Sequence, residues 1–355
     1  MSEFDPPTPP EGLERPTIVW VERPHRPTRN QYLIAFALLA ATFFTTVVVG
    51  VRLDFNYSHK LGPFAFGDNS LPMFPLRWIL EHPSRLLAGW PFAVAVMGIL
   101  LAHELGHYGM CRIYGVDATP PYFIPAPTLI GTMGAFIKIR SAFPSRRALF
   151  DIGIAGPIAG FIVAVPICFL GLLWSYPVAT MPSGPTDIQL GLPLLFDAIH
   201  TVFVKLHLQP HEPLEHFVLH PLAVAGWTGG FATALNLLPG GQLDGGHIVF
   251  SWSERAHRVV SWIALLALIP LAYFCWAGWL MWGVVLYITS RRQPVVQGHG
   301  GLGVGRKCLA IVALAMLLVS INPAPILGSS IESAHDEMRK TLYDVRDVVL
   351  HFLKK

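Results

Sequence analysis

Residues 103–107 read HELGH, with histidines four apart. On a helix that interval puts His103 and His107 on one face a turn apart, where two neutral imidazoles can hold a single metal ion. Glu104 beside them can reach a water on that metal rather than the metal itself. The pattern suits zinc hydrolysis: two imidazoles leave room for a third ligand and for a water whose pKa the metal lowers towards ~7, and a glutamate can take that water's proton. The alternative is a histidine pair packed in a bundle and hydrogen-bonded to neighbouring helices. That alternative must also explain a glutamate inside LLAHELGHYG (100–109), a run that otherwise reads as lipid-spanning, where ionisable groups are costly.

A third ligand has to come from elsewhere in the chain at the same depth, and NLLPGGQLDGGHI (236–248) holds the best candidate, Asp244. Pro239, Gly240 and Gly241 end an apolar run, and Gly245 and Gly246 follow the carboxylate, so the backbone there is expected not to be regular helix. Irregular backbone at membrane depth is tolerated where protein covers it or where it lines a wet cavity. His247 competes with Asp244 for the same role. Asn236 can orient a substrate carbonyl or an oxyanion, or can simply hydrogen-bond between helices.

The elements that must position these residues are membrane helices. Of 355 residues 53% are hydrophobic and 13% charged, against roughly 25% charged in a soluble domain. The net charge of +3 is small and scattered, which argues against nucleic acid as a partner. Cys111, Cys168, Cys275 and Cys308 lie in or beside apolar segments without CxxC spacing, which argues against a disulfide framework or a thiolate zinc site.

Residues 1–31 read as a disordered, proline-rich leader. The first transmembrane helix and an interfacial loop occupy 32–89, where FPLRWILEHPSRLLAGW suggests a helix lying at the headgroups with Trp78 and Trp90. Further spans are expected over Trp90–Met110, Ile152–Trp174 and Phe217–Leu238. Val259–Ile288, interrupted by Pro270, is too long for one upright span and short for two. Cys308–Ile321 comes last. A catalytic core is therefore placed at 90–250, C-terminal transmembrane helices at 251–327 and an amphipathic helix at 328–355, with Ile331, Met338, Leu342, Val345, Val349 and Phe352 on one face.

Arg15, Arg23, Arg26 and Arg29, then Arg112, Lys138, Arg140, Arg146 and Arg147, favour an N-terminus on the cytoplasmic side. Keeping Arg291, Arg292, Arg306 and Lys307 inside favours seven crossings over six. By this topology Glu104 lies about 12 Å along the axis from Arg112, at ~1.5 Å per residue, near the end at which Asp244 also falls.

These motifs resemble the site-2 protease family of intramembrane zinc metalloproteases, in which an HExxH on one core span and an LDG near the end of another build the site. Here those are HELGH (103–107) and LDG (243–245); AGPIAG (155–160) is similar to the family's glycine-proline element, and Asn236 to the asparagine upstream of its LDG. The resemblance covers roughly residues 90–250, three motifs in the family's order. It is closest to the branch without an inserted PDZ domain, which includes the plastid EGY-type proteases, since the loops flanking the third span have no room for that domain. It implies one zinc ion per chain held by His103, His107 and Asp244, with Glu104 as catalytic base, and transmembrane proteins as substrates in a lipid bilayer. The expected fold is all-α and polytopic, about seven transmembrane helices by the charge placement, around a three-helix catalytic core with a small membrane-associated β-hairpin.

GTMGAFIKIRS (131–141) is the candidate hairpin, with Ile137 and Ile139 alternating with Lys138 and Arg140. A helical substrate must unwind before hydrolysis, and a strand edge around Gly131, Gly134, Phe136, Ile137 and Lys138 can hold it extended; a hairpin that merely plugs the cavity is the alternative. His200, His207, His211, His216 and His220 in the outer loop have irregular spacing, and a second metal site or pH sensor there is the less favoured reading. Two other functions remain open: a non-proteolytic chaperone or adaptor on the same scaffold, whose relatives usually lose a ligand or the glutamate, and a metal transporter, which would want ionisable residues in several spans. A leader that is not Ser/Arg-rich and acid-poor favours a bacterial inner membrane over a plastid.

Overall fold

The computed structural model describes residues 27–67, 71–180, 184, 187–291, 294–298 and 300–338. Most of the leader, and the positions Leu342, Val345, Val349 and Phe352 of the C-terminal amphipathic pattern, lie outside the described residues; residues 331–338 are helical.

Helix α1 spans Arg29–Ser58. It begins inside the expected leader because Thr28 and Gln31 form a capping box, Thr28 N–H donating to Gln31 Oε1 at 3.0 Å and Gln31 N–H to Thr28 Oγ1 at 3.4 Å. Its first half exposes Leu33, Ile34 and Phe36, whereas Val47 to Leu53 are buried against the bundle. Arg52 continues the helix beyond the apolar run, buried, and donates to Ala65 O at 2.6 Å and Leu71 O at 3.2 Å. The expected interfacial helix is shorter than its sequence suggested. Helix α2 covers Leu76–Glu81, a 3-10 turn follows at Pro83–Arg85, and Leu86 already opens the next helix, which therefore contains Trp90.

Helices α3 (Leu86–Ile113) and α4 (Arg146–Leu173) form the largest helix–helix contact. Ser145 caps α4, its hydroxyl accepting from Ala148 N–H at 3.2 Å. Between them strands β1 (Tyr122–Pro125) and β2 (Thr132–Phe136) pair antiparallel, with Tyr122 opposite Phe136 and Phe123 opposite Ala135. The Ile137–Arg140 alternation lies past β2. It is held as a loose continuation, Lys138 N–H donating to Thr119 Oγ1 at 2.9 Å and Arg140 N–H to Asp117 O at 2.8 Å.

The connection between α4 and the helix after β4, expected as the outer loop, is not featureless. Strand β3 (Tyr176–Pro177) pairs with β4 (Phe217–Val218), and between them α5 (Leu194–Lys205) buries Phe196, Ile199 and Phe203. Helix α6 (Pro221–Asn236) packs on α3 and α4, and α7 (Asp244–Trp252) on α4. Helices α8 (Glu254–Phe274) and α9 (Trp279–Ser290) separate at residues 275–278, not at Pro270, which stays inside α8; α10 (Val304–Ser320) closes the bundle. Pro270 is tolerated because a proline forfeits one intrahelical bond, whereas the chain reversal needs residues outside both helices.

The chain is a multi-pass membrane protein: among the described residues, four helical segments are long and apolar enough to cross, Arg29–Ser58, Pro83–Ile113, Arg146–Leu173 and Glu254–Phe274. Helices α6, α9 and α10 are shorter, at 16, 12 and 17 residues.

Candidate metal centre

The buried midsection of α3 carries His103, Glu104 and His107, each exposing 7% or less of its surface. The Nε2 atoms of the two histidines are 3.1 Å apart, and each is 3.2 Å from Asp244 Oδ2. Four-coordinate zinc with bonds of ~2.0 Å separates neighbouring ligand atoms by about 3.3 Å, so the triangle has the size of one tetrahedral face. Its chemistry agrees. His107 Nδ1 lies 2.7 Å from Ile152 O, and since a carbonyl only accepts, the ring proton sits on Nδ1 and the Nε2 lone pair points into the triangle. Facing a carboxylate oxygen and a second imidazole nitrogen, that lone pair fits a cation between them.

Asp244 arrives there by a break and a reversal. Helix α6 stops at Asn236, the chain turns through Leu237–Leu243, and Asp244 opens α7. The expectation that Gly245 and Gly246 prevent regular helix is therefore corrected: both lie in the first turns of α7. Their use is close approach, since a Cβ on Gly245 would stand 2.1 Å from Leu237 O and one on Gly246 2.4 Å from Gly241 O. Asn236 reaches the same place, with Nδ2 3.3 Å from His103 Nε2. His247 is not among the converging ligand atoms; among the described residues the one group of three or more His, Cys, Asp or Glu arranged to hold a metal is His103, His107 and Asp244.

Residues 91–272 match Peptidase family M50. The chain belongs to that family. It is 31% identical over 318 residues to "Probable zinc metalloprotease EGY1, chloroplastic" of Arabidopsis thaliana, an overlap covering 85% of this chain and 55% of the relative. A protein of the same description from Oryza sativa subsp. japonica is 28% identical over 314 residues, covering 85% of this chain and 52% of the relative. "Probable zinc metalloprotease EGY2, chloroplastic" of Arabidopsis thaliana is 30% identical over 229 residues, 61% of this chain and 38% of the relative. The chain thus spans about half the length of the EGY1 relatives it matches.

In this M50 core the AGPIAG segment acquires a physical role that its sequence alone did not disclose. It runs along α4 against the histidines: a Cβ on Gly156 would lie 2.1 Å from His107 Nε2, and one on Gly160 3.1 Å from His103 Cβ. Ile152, whose carbonyl fixes the His107 tautomer, carried no signal in the sequence, because every residue has a carbonyl.

The hairpin residues divide. The backbone of Ile137 comes beside the Glu104 carboxylate, which brings the end of β2 next to the centre. Gly131 is seated on α1, its carbonyl accepting from Thr45 Oγ1 at 2.6 Å. Gly134 takes a positive φ of 97° while its N–H donates to Thr132 Oγ1 at 3.0 Å. Phe136 is half-exposed beside Tyr122, and Lys138 bonds through its backbone to Thr119. The outer-loop histidines stay apart from any such cluster. His216 faces Glu212 at 3.9 Å on the surface, and His220 caps α6, its Nδ1 accepting from Leu222 N–H at 3.2 Å between the rings of Tyr57 and Trp174. Burial pushes the His220 imidazole down to about 4.

Proposed function

We propose that the chain is an intramembrane zinc metalloendopeptidase that cleaves a peptide bond within or beside a transmembrane segment of other membrane proteins. The observation that carries this reading is the ligand triangle of His103, His107 and Asp244 with Glu104 on the adjoining turn, buried in a helix apolar enough to span a bilayer. Zinc held there supplies an activated water and a Lewis acid for the scissile carbonyl.

The rest is the work of the protein's own side chains. Glu104 takes the proton from the attacking water and returns it to the departing amine. Asn236, within reach of His103, hydrogen-bonds the carbonyl oxygen as charge builds on it. Substrate unwound from its helix pairs along the hairpin at Gly131, Gly134, Phe136, Ile137 and Lys138, and the nearness of the Ile137 backbone to Glu104 supports this by putting the hairpin's end beside the base.

We also propose that α6, α9 and α10 cross with the four longer segments, making seven spans; at 1.5 Å per residue they are ~24, ~18 and ~26 Å long. The basic residues between α3 and α4 support a cytoplasmic N-terminus, and a bacterial cell membrane is the proposed location, with a plastid membrane as the competing one because the matched EGY relatives are described as chloroplastic.

The test is quantitative membrane proteomics on cells expressing the intact chain or Glu104→Gln, with zinc measured on both purified proteins. Full-length membrane proteins should accumulate with the variant and matching truncated fragments appear with the intact chain, at equal zinc content. Zinc-loaded protein with no difference in fragments would replace the protease by a non-proteolytic adaptor.

A further inference from the structure

Away from the metal centre, a cleft of about 250 Å³ opens between the first turns of α8 and the last turn of α9. His257, Arg258, Ser261, Trp262, Tyr287 and Arg291 line it, and no carboxylate does. Neither arginine has an acidic partner among the described residues, and Arg291 is held by Tyr287, hydrogen-bonding its hydroxyl and stacking with the guanidinium 4.6 Å from the ring centre. His257 is 1% exposed, and its Nδ1 lacks a hydrogen-bond partner among the described residues. Beside the cleft Trp262, Leu266 and Ile269 on α8 and Val284 and Ile288 on α9 are exposed and apolar.

We propose that this cleft binds the phosphate of an anionic phospholipid headgroup, and that the bound lipid tightens the turn that delivers Asp244. Two guanidinium forks without a carboxylate match a phosphodiester. A basic pocket between two helices, with tryptophan and tyrosine at its mouth and apolar faces for acyl chains beyond, is the setting in which membrane proteins hold anionic headgroups.

The coupling runs through Gly241. Its φ of 58° is one that L side chains rarely adopt, and α8 holds both sides of it: Ser261 Oγ accepts from Gly241 N–H at 3.3 Å, and His257 Nε2 donates to Gly241 O at 2.9 Å. Ser261 and His257 are also the buried walls of the cleft. A headgroup that fixes them fixes the turn three residues before Asp244.

The full-length protein, delipidated in neutral detergent, is titrated with short-chain phosphatidylglycerol, phosphatidylcholine or inorganic phosphate. Native mass spectrometry counts the bound molecules and hydrogen exchange follows the amides of 237–246. Phosphatidylglycerol should bind about tenfold more tightly than phosphatidylcholine, whose choline cation meets the same arginines, and should slow exchange at Gly241. Arg258→Gln with Arg291→Gln should weaken it about tenfold or more, and the corresponding lysine pair, which keeps the charge but loses the fork, should bind more weakly than the parent and more tightly than the glutamine pair. Undiminished binding by the glutamine pair overturns the site. Displacement of the lipid by equimolar inorganic phosphate overturns the lipid in favour of a free anion, and unchanged exchange at Gly241 with lipid bound overturns the coupling. If the glutamine pair does not fold, Tyr287→Phe, which frees Arg291, should weaken binding about threefold, and no change would count against the cleft. None of these readouts depends on proteolysis.

Discussion

The molecule holds two histidine-rich regions of opposite character. The outer loop has five histidines in twenty-one residues and the α3 centre two in five, yet the richer region builds no ligand cluster among the described residues. Its histidines are dispersed along the chain, with His200 on α5 beside Phe217, His216 facing Glu212 and His220 capping α6. The pair on α3 shares one helix face, and α4 and α7 close on that face from two sides. What makes a metal centre is convergence of fixed backbones on a few lone pairs, not local abundance of ligand types.

That contrast can be broken most directly by removing a corner of the triangle. Asp244→Ala should reduce bound zinc in the purified protein from about one per chain to about a tenth or less, while His211→Ala combined with His216→Ala should leave it unchanged. Equal loss in both proteins would mean that the outer loop also holds zinc.

A subtler change leaves every ligand in place. Gly156→Ala puts a methyl group where the His107 ring lies, so zinc affinity should fall about tenfold to a hundredfold, read by competition with a chromogenic chelator. Affinity equal to the parent would show that α4 can retreat without cost and does not position the ring.

The smallest effect is expected at His220, and it concerns stability rather than metal. Its imidazole titrates at about 4 in the folded protein and at the ordinary value of 6.5 when unfolded. The unfolded chain therefore binds the proton first, and the stability His220 contributes above pH 6.5 is lost progressively as the pH falls from there through about 4. His220→Asn, which preserves a capping acceptor for Leu222 N–H, should keep the melting temperature at pH 7.5 and lose part of its decline between pH 7 and pH 5. An identical decline in both proteins would assign the acid sensitivity elsewhere.

Much of the centre was legible in the sequence because its signals are local. An interval of four places two side chains on one helix face whatever surrounds them, and a run of twenty uncharged residues is a span by its own length. Asp244 was legible as well, since proline and glycines announce a break. The same glycines mislead in detail: Gly245 and Gly246 suggest an interrupted helix, and instead they let α7 press against the end of α6. The alternation at Ile137–Arg140 likewise suggested the strand, while the regular ladder formed five residues earlier, at Thr132–Phe136, where Tyr122–Pro125 lies opposite.

The sequence by itself determined the apolar spans, the shared face of His103 and His107 with Glu104 next to it, and the break carrying Asp244. Only the tertiary structure decided that Asp244 rather than His247 meets the histidines, that the Ile152 carbonyl sets the ring proton of His107, and that Arg258 and Arg291 face one cleft across α8 and α9. Periodicity reports the face a residue occupies on its own helix. Which backbone comes close enough to use that face depends on packing between elements distant in sequence, and on the few glycines that allow it.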